Sequence, residues 1–249
     1  VRARLINVEV PTSYYSFSTS LGNTTLRIKV LDNVLATVVP TQTIVIPNGN
    51  YNVKNLLKTL EEQLNTNAEC VAQGIIFTVS LSDIDLKVTI GVSSDYKVVV
   101  DTTSVIQGNV NWGLAYNLGF AKNTVVYGNS VTGQHIINVN PNNYIVLEIP
   151  NLNTMDECLP PKGGQTRSVF AKIPITVNSY EIVFMKNDVN TLNENTFNPI
   201  IGKLDRIQIK WRFHNGSPID FNNVEHSFTI ELECVEVSIR SGNANEGLE

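Results

Sequence analysis

The sequence has little of what site chemistry usually requires. Its three cysteines, Cys70, Cys158 and Cys234, lie far apart with no C-x-x-C pair, which excludes a disulfide framework and the common zinc spacings. Buried, reduced thiols are expected instead. Three histidines, His135, His214 and His226, are present. None sits in an H-x-H, H-x-D or H-E-x-x-H context, so no oxygenase or hydrolase metal site is written here. The Lys162-Gly163-Gly164 loop lacks the spacing that cradles phosphates, and there is no G-x-S-x-G nucleophile elbow. Asp83 and Asp85 resemble half of a calcium loop, but between two strand patterns they read as a hairpin turn. No catalytic, metal-binding or cofactor-binding residue is assigned, and neither an enzyme nor a cofactor is expected.

Long apolar runs are also missing. No stretch approaches the roughly 18 to 20 residues of a membrane span, and no basic-then-apolar leader opens the chain, so a soluble protein is expected. The chain begins at Val1 rather than at a methionine, which leaves room for an arm upstream. Charge is sparse at 16%, with a net charge of −5. A dedicated nucleic-acid binder would need a basic footprint, so nucleic acid is not an expected partner.

What is abundant is hydrophobic residues, 42% of the chain, and asparagine, with roughly thirty residues. The first describes a globular core and the second many turns and caps. Asn23-Thr-Thr and Asn215-Gly-Ser match the glycosylation pattern, but so many asparagines generate such triplets by chance.

The clearest pattern is a pair of alternating runs near the C-terminus. From Leu204 to His214, Ile207, Ile209, Trp211 and Phe213 share one face, with Arg206, Gln208, Lys210 and Arg212 on the other. From His226 to Glu236, Phe228, Ile230, Leu232 and Cys234 oppose Thr229, Glu231 and Glu233. Two half-buried strands are predicted, with Trp211 in the core, one outer face basic and the other acidic.

Earlier, strands are predicted over 1–10, 23–31 and 35–46, with no helix between them. After Pro47-Asn-Gly-Asn50 the period changes: Val53, Leu56, Leu57, Leu60 and Leu64 fall on one helical face, with Asn52 able to cap and Lys58 four residues before Glu62. Short strands over 75–81, 86–92 and 96–100 follow, then Trp112 to Phe120, where Gly119 suits a close backbone approach. Tyr144–Pro150, Val169–Ile175 and Ser179–Met185 resume strand character. Eight strands outside an inserted α+β block fit a jelly roll better than an immunoglobulin-like sandwich. Tyr14, Tyr15 and Phe17 form the one obvious aromatic cluster, in a predicted surface loop.

The strand, the Asn215-Gly-Ser-Pro turn, Asp220-Phe221-Asn222 and the His226-Ser-Phe-Thr-Ile-Glu strand resemble, in that order, the end of single jelly-roll penton (vertex) capsid proteins. These belong to the double-stranded DNA virus lineage of virophages, polinton-like elements and large nucleocytoplasmic viruses. The Ile46-Pro-x-Gly-x-Tyr51 start, the amphipathic helix and the later Leu118-Gly-Phe120 are similar to a module of minor capsid and penton proteins in that lineage. The resemblance implies a mainly β protein: a single eight-stranded antiparallel jelly-roll sandwich over 1–47 and 141–240, an inserted α+β domain over 48–140 and a flexible tail over 241–249. It implies a structural subunit forming homopentamers at capsid vertices beside a major capsid protein, located in the virion and assembled in the host cytoplasm or nucleus. Arg206, Lys210, Arg212, Glu231 and Glu233 are the expected subunit contacts. The alternative is a carbohydrate- or receptor-binding jelly roll of the virion surface, with Tyr14, Tyr15 and Phe17 as its binding loop and a host receptor or glycan as partner.

Overall fold

The computed structural model describes residues 2–103, 113–140, 142–153, 155–158, 166–186, 194–197, 204 and 206–233. The expected tail over 241–249, Cys158's side chain and Cys234 lie outside what is described. The strands are β1 (Arg2–Pro11), β2 (Thr25–Asp32), β3 (Thr37–Val45), β4 (Phe77–Leu81), β5 (Val88–Val92), β6 (Tyr96–Asp101), β7 (Val125–Gly128) and β8 (Ser130–Thr132). They continue with β9 (Tyr144–Glu148), β10 (Met155–Cys158), β11 (Thr166–Val169), β12 (Ala171–Pro174), β13 (Ile182–Lys186), β14 (Glu194–Thr196), β15 (Lys210–Phe213) and β16 (Ser227–Glu233). Three helices are described: α1 (Val53–Asn65), α2 (Ala68–Ala72) and α3 (Gly113–Asn117). The protein is mainly β, and every described strand pairing is antiparallel.

Two separate hydrophobic cores organise these elements. In the first, the sheet β3-β2-β6-β7 and the sheet β4-β5-β8 enclose α1, whose Leu56, Leu57, Leu60 and Leu64 are buried with Leu26, Ile28, Val30, Phe77, Ile90 and Cys70. The amphipathic pattern built this helix as predicted: the Asn52 side chain caps it by accepting from the Asn55 N–H (2.8 Å), and Lys58 meets Glu62 at 3.7 Å. The turn after β4 also forms as read, the Ser82 N–H donating to the Lys87 carbonyl and the Leu86 N–H to the Ser82 carbonyl.

The second core is closed by two sheets, one with β1 paired to β13, β14 and β16, the other ordered β12-β9-β15. Trp211 and Phe213 of β15 are buried in it, and Phe228 of β16 meets the Trp211 ring edge-on at 6.0 Å. The two C-terminal strands therefore lie in different sheets with their apolar faces toward each other, as the alternation implied.

The allocation of strands differs from expectation in two places. Strands β2 and β3, expected beside β1, pair with each other instead, β2 also pairs with β6, and both pack in the core of α1. Alternation marks a strand as half-buried but is silent on which core buries it. Among the described residues of the run over 204–214, a ladder forms only from Lys210 onward, pairing with β9. Ile207 and Ile209, expected in the core, are 43% and 40% exposed.

Candidate functional site

The two cores are joined by the segment after β1, where the predicted aromatic loop lies. The structure does not assemble Tyr14, Tyr15 and Phe17 into an exposed platform. Tyr14 is buried in the β1 core, with the Phe213 ring edge-on at 5.0 Å. Burial pushes its phenol up to about 12. Phe17 is buried in the α1 core against Tyr51, centroids 5.6 Å apart, and Leu21 returns to the β1 core. Only Tyr15 is exposed, at 38%. The segment stitches one core to the other, so Tyr14 and Phe17 are used in packing and Tyr15 alone of the three stands at the surface.

Asparagines hold this crossover. The Ser16 N–H donates to Asn50 Oδ1 (2.7 Å) and Asn50 Nδ2 donates to the Tyr14 carbonyl (3.1 Å). Asn23 is buried, its Oδ1 accepting from the Ser18 N–H and its Nδ2 donating to the Ser16 carbonyl. That accounts for the Asn23-Thr-Thr triplet as a turn device rather than a sugar acceptor. Thr12 fastens the other end, its hydroxyl placed to donate to the carbonyl of Asn178 or of Glu181 and accepting from the Glu181 N–H. A groove of about 470 Å³ runs beside the crossover, lined by Asn50, Asn52, Asn140, Asn142, Asn143 and Asn178 among others. The composition signalled turns and caps; that they concentrate between two cores was not visible in it. Asn50→Ala leaves a peptide N–H and a carbonyl without their clamp, and a loss of about 1 to 3 kcal/mol is expected in denaturant unfolding. Asn50→Asp keeps the acceptor and should lose less.

The charged strand faces also differ from a simple basic side and acidic side. Arg212 is turned onto Glu148 of β9 (Nε to Oε2, 2.8 Å) and donates from Nη1 to the Gly216 carbonyl, tying the Asn215-Gly216 turn to the sheet. Register explains the pair: Lys210 stands opposite Glu148 and Arg212 opposite Val146, so Arg212 and Glu148 are diagonal neighbours on one face. Glu148, missed in the sequence, is buried at the end of an apolar strand. A lone carboxylate closing the run Ile145-Val-Leu was the available signal. On β16, Glu231 meets Arg4 and Glu233 lies 3.7 Å from Arg2, both arginines supplied by β1. Arg206 is exposed and Lys210 half-buried.

No family model and no curated protein matches the chain. Among solved structures, the chain is similar to one of a viral capsid protein. It is a crystal structure of the mavirus penton protein, selenomethionine-labelled, 10% identical, with a TM-score of 0.46, covering 85% of this chain and 79% of that one.

A second groove, of about 440 Å³, crosses the outer face of β1 and is lined by Glu9, Pro11, Ser13, Tyr180, Ile182, Val224, Glu225, His226 and Ser227. The His226 ring lies over Phe221 at 4.7 Å and edge-on to Trp211 at 5.5 Å. Burial lowers the pKa values of His226 and His214 from the usual range. Among the described residues no three of His, Cys, Asp and Glu are grouped to hold a metal ion. No described helix is long and apolar enough to cross a membrane.

Proposed function

We propose that this chain is a structural capsid subunit of a double-stranded DNA virus, forming homopentamers at icosahedral vertices beside the major capsid protein of the same virion. In this reading the β1 core is the single jelly roll and the α1 core is an inserted module. The observation that carries it is the architecture. A two-sheet antiparallel unit is interrupted after its first strand by a second α+β unit and completed by β9 to β16. The resemblance to penton proteins likewise has a β unit interrupted by an α+β module, expected from residue 48; here the interruption comes earlier, because β2 and β3 pack with α1.

The surfaces agree with a part that assembles. The described polar clusters are used for clamping loops and pairing strands, while large apolar side chains such as Phe184 (70% exposed) and Ile182 (50%) stand on an outer sheet face. Such exposed apolar surface marks contacts with other proteins. Native mass spectrometry and sedimentation at low salt are expected to show a species of five chains. A chain that stays monomeric under these conditions overturns the proposal.

A further inference from the structure

The acidic residues first expected at the subunit contact, Glu231 and Glu233, already face Arg4 and Arg2 of their own sheet. The groove over β1 offers a different acidic surface. Its walls are apolar, from Pro11, Tyr180, Ile182 and Val224, and it carries two carboxylates, Glu9 and Glu225. Glu9 accepts a hydrogen bond from the Ser227 hydroxyl (3.1 Å), and no described cation pairs with Glu9 or Glu225.

The same chain carries the complement elsewhere. Arg206-Ile207-Gln208-Ile209 runs into Lys210 without a ladder of its own among the described residues, and both isoleucines are exposed. This strip presents two apolar side chains on one face and two cations on the other, against a groove that carries both apolar side chains and two anions. It enters β15, the edge strand of the β12-β9-β15 sheet, whereas the groove lies on the outer face of the opposite sheet. An outer face looks away from the other sheet, so a chain cannot seat its own strip in its own groove.

From this complementarity we propose that the 206–210 strip of one copy lies lengthwise in the Glu9/Glu225 groove of the next with its two faces toward opposite walls, Arg206 and Lys210 on one face meeting the two carboxylates and Ile207 and Ile209 on the other packing against the apolar side chains. The contact is heterologous, the kind that builds a ring when its rotation closes, as the homopentamer requires. It rests on the homopentamer reading and names the two surfaces that reading needs. The isoleucines supply apolar burial, while the charges set register and salt sensitivity.

The test compares four full-length proteins by sedimentation velocity and native mass spectrometry at low and high salt: wild type, Arg206→Glu/Lys210→Glu, Glu9→Lys/Glu225→Lys, and the chain carrying all four changes. Each double variant turns two attractions into two repulsions, and an association about tenfold weaker per contact, or more, is expected. The quadruple variant restores opposite signs at the same contact and should recover the ring. The mutated side chains are exposed or at the surface, and unchanged circular dichroism confirms that each variant is folded. If wild type forms rings and both double variants form them equally well at low salt, this docking is wrong while the pentamer stands. The same holds if the double variants fail but the quadruple variant does not recover. A monomeric wild type overturns both.

Discussion

Gly119→Ala should destabilise the protein by about 3 to 5 kcal/mol, while Gly74→Ala, at an equivalent place on another helix, should cost only about 1 to 2. Both glycines end a short helix in the left-handed region, with φ of +91° and +65°. Both sit in the same hydrogen-bonded closure: Phe120 N–H to the Ala115 carbonyl with Gly119 N–H to that of Tyr116, and Ile75 N–H to the Cys70 carbonyl with Gly74 N–H to that of Val71. The difference is what surrounds them. A Cβ at Gly74 would meet nothing, whereas at Gly119 it would run into the carbonyl of His135, whose own N–H donates to the Gly119 carbonyl at 2.8 Å. Backbone cannot step aside as a side chain can, so overpacking adds to the conformational penalty. Denaturant unfolding of the two variants measures this directly. Equal losses would mean that conformation alone makes Gly119 necessary.

Trp211→Ala should cost about 3 to 5 kcal/mol, and Ile209→Ala, two residues earlier on the same face, less than half of that. Trp211 is 7% exposed and surrounded by Phe221, His226 and Phe228, with ring centroids 5.5 to 6.0 Å away. Truncation removes the largest side chain between the β1 and β9 sheets and leaves a cavity those rings cannot close. Ile209 is 40% exposed, so much of its surface already faces solvent. In a Trp112→Phe background the remaining indole should emit as a buried chromophore. Emission at the wavelength of hydrated tryptophan, or equal losses for the two alanine variants, would refute the placement.

Much of this architecture was legible in the residues because it depends on short-range periodicity. Leucines at helical spacing with Asn52 ahead of them specify α1 and its start, since both cap and apolar face are settled within a few residues. The glycine of Leu118-Gly-Phe120 signalled a close approach, and His135 is what approaches. Trp211 and Phe228 were readable as core for the same reason. The candidate contacts were less legible. Arg212 looked like surface charge because alternation says only that it faces away from Trp211. Glu148, which turns that face inward, lies 64 residues earlier in the chain. Tyr14 and Phe17 looked like a surface cluster because a polar-aromatic stretch reads as loop until two cores are found on either side of it.

The sequence by itself therefore determined the β character, the position of α1 with its Asn52 cap, and the inward placing of Trp211, Phe213 and Phe228, all properties of neighbours along the chain. Only the tertiary structure decided that β2 and β3 share a core with α1, that Arg212 pairs with Glu148, that Glu231 and Glu233 answer Arg4 and Arg2, and that Ile207 and Ile209 stay exposed. Side-chain periodicity specifies which face of a strand is apolar. Which sheet meets that face, and where the ladder stops, depends on pairing between segments far apart in sequence, and no local pattern carries that information.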